Sequence, residues 1–227
     1  MGRLACDAIK NAPDLEYAGG FARTKVPHEH IDDDLERLLR ERKPDVLLDV
    51  TTRPATQNAA RLSLQHGVYP VVGSSEWNDD EREEIAALCD STGLGALFVP
   101  NFAMGAVLMM RFAQEAARFF PTIEIVELHH ADKRDKPSGT AAATAARIKA
   151  SGGPGDVPIH SVRLRGLVSH QEVLCGGAGE LLTIRHDSLS LESFAAGILF
   201  AIRSVRTLKG VHVGLDALLA SADGTRV

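Results

Sequence analysis

The chain has 227 residues and a formal charge of −5, and its 44% hydrophobic and 24% charged residues are the profile of a folded globular protein with a real core. Net acidity argues against a general nucleic-acid binder. No apolar run reaches membrane-spanning length and the N-terminus lacks a cleavable leader pattern, so no membrane partner and a cytoplasmic location are expected.

Taken in chain order, "DVLLDVT" (45–51) is a short Val/Leu-rich run of the kind buried on both faces of a parallel sheet. "RPATQNAARLSLQHG" follows with helical spacing, Pro54 near its start and Gly67 at its end. "VYPVVG" (68–73) predicts a second strand. The helix "DDEREEIAALCDSTG" comes next, with Asn78 and Glu81 spaced as a capping box. "GALFVP" (95–100) predicts a third strand, and the alternation implies right-handed crossovers and a parallel sheet. In such a sheet ligands bind beyond the carboxyl ends of the strands, here "TTRP" (51–54), "GSSEW" (73–77) and "VPNFAMG" (99–105). Each alone is an ordinary turn. Three along one edge point toward a nucleotide or cofactor cleft.

The second half changes character. A helix "AVLMMRFAQEAARFF" leads to the strand "TIEIVELHH", a charged stretch, and the helix "GTAAATAARIKA". After the turn-rich "SGGPGDVP" (151–158), the runs "IHSVRLRG" (159–166), "SHQEVLC" and "LLTIRHDS" alternate at period two, suggesting antiparallel strands in a mixed or open sheet. "CGGAGE" (175–180) precedes a strand and not a helix, so it reads as a hairpin turn and not a phosphate loop. "SLESFAAGILFAIRSVRTL" (190–208) predicts one long apolar helix, with Ser190 and Ser193 near its cap. Cys6, Cys89 and Cys175 are odd in number and far apart, which fits buried thiols in a reducing compartment better than disulfides or zinc.

His160, His170 and His186 are isolated strand residues with surface or core roles. His129 and His130 are adjacent, so their rings point to opposite faces of a strand, which argues against one shared metal ion. A histidine-based metal hydrolase would need bound metal, and none is expected. In "VELHHADKRDKPSGTA" (126–141) Lys133 follows the histidines, Asp132 and Asp135 moderate the cations, and Ser138, Gly139 and Thr140 open a helix whose free amides favour an anion. Burial and neighbouring cations would lower the pKa values of His129 and Lys133 toward working pH. On these residues alone, a carboxylate cradle beside two proton donors and a solvated basic loop before a helix cap both remain open.

"ELHHADKRDKPSGTA" resembles the signature of the 4-hydroxy-tetrahydrodipicolinate reductase (dihydrodipicolinate reductase) family, Glu-x-His-His-x-x-Lys-x-Asp-x-Pro-Ser-Gly-Thr-Ala. "VGSSEW", "VPNFAMGAVLMM" and "IHSVRLRGLVSHQEVLCGGAGELLTIRHDS" are similar to further family segments, so the likeness covers essentially the whole chain. The resemblance implies an α/β fold: a Rossmann-like parallel-sheet domain over 1–100, with 206–227 packing back on it, and an α+β substrate and oligomerisation domain with an open mixed sheet over 101–205. It also implies a homotetramer and NADPH- or NADH-dependent reduction of a cyclic imine dicarboxylate in lysine biosynthesis. By motif position His129 and Lys133 resemble the proton donors, and His130, Ser138, Gly139 and Thr140 the carboxylate-holding residues. Gly73, Ser74, Ser75, Val99, Pro100, Asn101 and Phe102 resemble the turns that face the dinucleotide.

Departures are local. Lys136 and Glu76 stand where the family has small residues, and Ala22 with Arg23 replaces the acid of NADH-using members, which leans toward NADPH. Family members begin with an apolar strand and a Gly-rich loop, whereas "MGR" is similar only to the tail of that loop, placing Met1 beside the cofactor. Residues 3–11 already read as the first helix, so the sheet is expected to lack its first strand. The alternative this raises is a truncated, catalytically impaired oligomer of the same family that still binds a dicarboxylate.

Overall fold

A computed structural model describes residues 1–22, 31–52, 55–73 and 77–219. The chain divides into two compact units, one formed by Met1–Phe102 together with the chain from Phe194 onward, the other by Ala103–Ser193. The first unit opens with helix α1 (Gly2–Asn11), the two-residue strands β1 (Gly20–Phe21) and β2 (Ile31–Asp32), and α2 (Leu35–Arg42). Then come β3 (Val46–Asp49), α3 (Ala55–Gln65), β4 (Tyr69–Val72), α4 (Asp79–Thr92) and β5 (Gly95–Phe98). The second unit holds α5 (Met104–Ala116), β6 (Thr122–His129), α6 (Gly139–Ala150), β7 (Ile159–Arg163), β8 (Ser169–Gly177) and β9 (Glu180–Ser188). The chain returns to the first unit as α7 (Ala195–Ser204), β10 (Gly210–Val213) and α8 (Asp216–Leu219).

In the first unit β3, β4 and β5 are parallel neighbours, linked by α3 and α4 as the alternating pattern predicts. The Val/Leu runs are buried as expected: Val71, Val72 and Leu97 have no exposed surface. The capping box of α4 forms in both directions. Asn78 Oδ1 accepts the Glu81 N–H and the Glu81 carboxylate accepts the Asn78 N–H, each at 2.9 Å. The helix stops where Gly93 adopts φ +71°. Trp77 packs edge-on against Phe98 with ring centroids 4.7 Å apart, in a core with Leu64, Ile85 and Cys89. Pro54, the predicted helix opener, lies outside the described residues.

Two features depart from the sequence reading. Strand β10 was not anticipated, because "VHV" between Gly210 and Gly214 is too short to show a period. It pairs in parallel with β5, from Gly210 opposite Gly95 to Val213 opposite Phe98. The single helix predicted over 190–208 is instead a 3-10 turn (Leu191–Phe194), α7, and a second 3-10 turn (Val205–Thr207). Ser190 Oγ accepts the Glu192 N–H at 3.2 Å and so caps the 3-10 turn. The break follows from the architecture, since the chain passes from one unit to the other between Ser193 and Phe194.

Gly197 explains itself in α7. A Cβ there would lie 1.9 Å from the Phe102 carbonyl oxygen, so the helix can meet the 99–102 turn only without a side chain. Gly197→Ala is expected to destabilise the protein by about 3 kcal/mol, the upper part of the overpacking range, because backbone must move. Chemical denaturation reads this as a lower midpoint at unchanged slope. An unmoved midpoint contradicts the close approach.

The sheet of the second unit has the order β7-β6-β8-β9 and is mixed. Strands β8 and β9 form the predicted hairpin, turning at Gly179 with φ +80°. Strand β7, predicted antiparallel from its alternation, runs parallel to β6, because the α6 crossover brings the chain back in the same direction. Period-two alternation reports a two-faced strand and not its direction. One face of the sheet takes the helices: Thr144 Oγ1 of α6 accepts from Gln171 Nε2 at 2.8 Å, and a Cβ on Gly105 of α5 would lie 2.5 Å from the His186 ring. The opposite face carries a charged network in which His170 Nδ1 and Arg185 Nε meet Asp187 at 2.6 and 2.8 Å.

Candidate active site

The site of the second unit grows from strand alternation. Along β6 the odd-numbered residues Ile123, Ile125, Glu127 and His129 are buried, and His130 beyond the strand is exposed. The two histidines therefore do face opposite ways. Glu127 and His129 are two residues apart on one face, and His129 Nδ1 lies 2.5 Å from Glu127 Oε2. Sheet register supplies the remaining partners. His129 is paired with Arg163 of β7 on one side and with Ser169 of β8 on the other, so three strands place three polar side chains in one row. Ser169 Oγ is 3.0 Å from His129 Nε2. Arg163 donates to both oxygens of Glu127, at 2.9 and 2.8 Å.

Arg163 does more than neutralise. Its Nε donates to the Lys133 carbonyl at 3.2 Å and its Nη2 to the Asp135 carbonyl at 2.7 Å, which fastens the loop after β6 to the edge of the sheet. Lys133 Nζ then pairs with Asp135 Oδ1 at 2.9 Å, as the sequence reading expected of that acid. The loop ends at Ser138, only 2% exposed, whose Oγ accepts the Ala141 N–H at 3.2 Å and caps α6. The cap uses an acceptor lone pair and not the hydroxyl proton. No acid occupies the first turn of α6, and a Cβ on Gly139 would meet nothing within 4 Å, so space remains over the positive end of this helix. Thr140 follows in that turn.

The electrostatics follow from burial. Burial pushes the Glu127 carboxyl up, but hydrogen bonds from Arg163, Ser161 and His129 outweigh it and hold the group below the usual carboxylate range. Burial also disfavours the charged form of His129. The Lys133 and Arg163 cations add to this, and together they overcome Glu127 and leave the imidazole below its ordinary value. The second unit thus holds an imidazole that is readily neutral, an ammonium group, and a helix N-terminus with a hydroxyl beside it. That set can bind carboxylates and move protons.

The dinucleotide residues named from the sequence belong to the first unit. Gly73 N donates to Asp49 O, and Val99 N to Val72 O, both at 2.7 Å, so the carboxyl ends of β3, β4 and β5 lie side by side. A Cβ on Gly73 would come within 2.9 Å of the Phe102 ring, so this turn leaves close-approach room only for glycine. Pro100 and Asn101 complete the turn after β5. Arg23, Ser74 and Ser75 lie outside the described residues, as does Glu76. A cavity of about 700 Å³ in this unit is lined by Gly2 and Cys6 of α1, Gly19 and Gly20, and Leu48 to Thr51 at the end of β3. Its size suits a bound cofactor. Met1 caps α1 beside it without a side-chain bond, and the first turn of α1 contains Arg3 and no acid. Asp49 is 6% exposed; its Oδ1 accepts the Thr51 N–H at 2.7 Å, while Oδ2 has no partner among the described residues. A buried acceptor, a glycine-only turn and an unblocked helix start fit a phosphate- and ribose-bearing ligand.

Sequence reasoning passed over Glu127, Arg163, Ser169 and Asp49. Glu127 carried a signal: an acid at an inward position of an apolar alternating strand calls for a buried partner. Nothing local singled out Arg163 from Arg165, or Ser169 from its neighbours.

Comparison with known proteins supplies the family. Residues 105–219 match the model for "Dihydrodipicolinate reductase, C-terminus" and residues 1–102 that for "Dihydrodipicolinate reductase, N-terminus". The chain is 45% identical to 4-hydroxy-tetrahydrodipicolinate reductase of Moorella thermoacetica, over 96% of this chain and 94% of that one. Against the protein of the same name from Geobacillus thermodenitrificans it is 42% identical over 92% and 84%. Its structure resembles the dipicolinate-bound dihydrodipicolinate reductase from Paenisporosarcina sp. TG-14, with TM-score 0.88, 36% identity, and 96% and 94% of the two chains covered.

Proposed function

The chain belongs to the dihydrodipicolinate reductase family, and from that premise we propose how its residues divide the work. It is an NAD(P)H-dependent oxidoreductase of the diaminopimelate route to lysine that reduces 4-hydroxy-tetrahydrodipicolinate to tetrahydrodipicolinate. The observation that carries the assignment of roles is the arrangement around His129: imidazole, Lys133 ammonium and the Ser138-capped start of α6 in one unit.

His130, the Ser138 hydroxyl and the first-turn positions of α6, Gly139 and Thr140, hold the two carboxylates of the substrate. The dipicolinate in the Paenisporosarcina neighbour is a ring dicarboxylate of matching chemistry. Met1, Arg23, Gly73, Ser74, Ser75 and Val99 to Phe102 hold the dinucleotide. When bound, that cofactor would supply a hydride to the conjugated imine that is left once the substrate's 4-hydroxyl departs as water. The carbon left electron-rich needs one proton, which Lys133 delivers from Nζ, and His129 exchanges protons at Nε2. The cations stabilise the charge that develops on the ring meanwhile. Ala22 and Arg23 support NADPH as the preferred dinucleotide, because a 2′-phosphate is repelled by the acid that binds a ribose hydroxyl. The half-exposed Leu182 and more exposed Leu181 of edge strand β9 support assembly through this sheet into a homotetramer. Three free cysteines suit the reducing cytoplasm, and among the described residues no helix is long and apolar enough to cross a membrane.

Steady-state oxidation of NADPH and NADH with 4-hydroxy-tetrahydrodipicolinate tests the reading. Turnover is expected with both, at lower KM for NADPH, with competitive inhibition by dipicolinate. Dipicolinate binding without turnover would favour the non-catalytic dicarboxylate-binding oligomer.

A further inference from the structure

We propose that Glu127 and Arg163 are a positioning pair that couples His129 to the Lys133 loop, fixing the imidazole as its Nδ1–H tautomer with Nε2 as the proton-exchanging atom. The proposal rests on the proton-handling roles of His129 and Lys133 given above.

Three observations carry it. Glu127 has no exposed surface and receives both forks of Arg163, at 2.8 and 2.9 Å, so its carboxylate is ionised and can only accept. The 2.5 Å contact to His129 Nδ1 then requires that nitrogen to carry the hydrogen. In the neutral ring Nε2 is left as an acceptor, facing Ser169 Oγ at 3.0 Å, and Ser169 donates to it. The same guanidinium reaches the carbonyls of Lys133 and Asp135, the two residues that form the Lys133–Asp135 ion pair. One carboxylate–guanidinium pair therefore sets the tautomer of one proton-handling group and the anchor of the other. A lysine at 163 could neutralise Glu127 but could not fork to two carboxylate oxygens and two carbonyls.

The charged groups facing the imidazole are Glu127 on its own strand, Arg163 from β7 and Lys133 from the following loop, while β8 contributes the neutral Ser169. Replacing Glu127 by Gln keeps the shape and removes the only anion of that set. The amide can accept from Nδ1 or donate to it, so the tautomer preference should weaken.

The experiment is a long-range ¹H–¹⁵N spectrum of the histidine-labelled protein, with His129 assigned by its loss in His129→Gln. In the wild type a single Nδ1–H tautomer is expected. In Glu127→Gln the Nε2–H form should appear, with kcat down about 10²-fold, the low end of what a positioned acid–base group contributes, and dinucleotide KM unchanged. Arg163→Lys should keep the tautomer but speed amide exchange across 131–137 by about tenfold or more, as expected for a loop released to local opening. A wild-type Nε2–H tautomer overturns the pair, needs no variant to fold, and leaves the roles of His129 and Lys133 standing. Full turnover by His129→Gln and Lys133→Ala overturns those roles and the coupling with them. That failure is read from variants that leave Glu127 and Arg163 intact.

Discussion

Lys133→Ala should lower kcat by about 10²- to 10⁴-fold, the contribution of a positioned general acid, while dinucleotide affinity stays within about twofold. Lys133 is anchored in the second unit by its carbonyl on Arg163 and its ammonium on Asp135, whereas the residues assigned to the dinucleotide belong to the first unit. Its ammonium pairs with Asp135 on the loop that runs into α6, the helix whose first turn is proposed to hold the dicarboxylate. Lys133→Arg separates charge from proton transfer: a guanidinium restores positive charge but holds its proton too tightly to give it up. Turnover should stay low in that variant while dicarboxylate KM recovers. Steady-state kinetics with fluorescence titration of NADPH decides the matter. A loss of cofactor binding equal to the loss of turnover would count against the assignment.

Arg163→Met should destabilise the protein by about 3–5 kcal/mol at neutral pH, because it strands a carboxylate with no access to water. Methionine fills much of the same volume, so the cost is mainly electrostatic and not a cavity. The pH dependence has a defined sign. In the wild type Glu127 is held below its unfolded value, so the pair's stabilisation is complete above about pH 4.3 and is lost as pH falls through the folded pKa. In Arg163→Met the same carboxyl is buried without its cation, its pKa rises, and protonation relieves the penalty on acidification. The gap between the two proteins should therefore narrow from pH 7 toward about pH 4. His129 adds a separate acid sensitivity to the wild type. Its folded pKa is depressed, so stability declines as pH drops below about 6.5 and the unfolded chain gains the proton first. Denaturant titrations across this range check both; a gap independent of pH would mean that Glu127 is not the stranded group.

The sequence alone carries whatever depends on near neighbours in the chain. The Asn78–Glu81 box, the Gly179 hairpin, the strand-helix alternation of 45–100 and the opposed faces of His129 and His130 all follow from spacings of one to four residues. The signature from Glu127 to Ala141 belongs to the same class, which is why its resemblance was visible. Strand β10 escaped because three residues between glycines carry too few repeats to show a period. The direction of β7 escaped because alternation is identical in parallel and antiparallel strands.

The polar row around His129 is of another kind. Arg163 reaches Glu127 across 36 residues, and Ser169 reaches His129 across 40. Which arginine and which serine arrive there is set by the register of β7 and β8 on β6, and a slip of one residue would turn both away from His129. Register is a property of the assembled sheet, decided by how the whole buried face fits and not by any local preference. The sequence by itself determined that a histidine, a lysine and an open helix start follow one another. Only the tertiary structure decided that a buried glutamate and a forked arginine sit beside them, since that pairing exists only once β7 lies alongside β6.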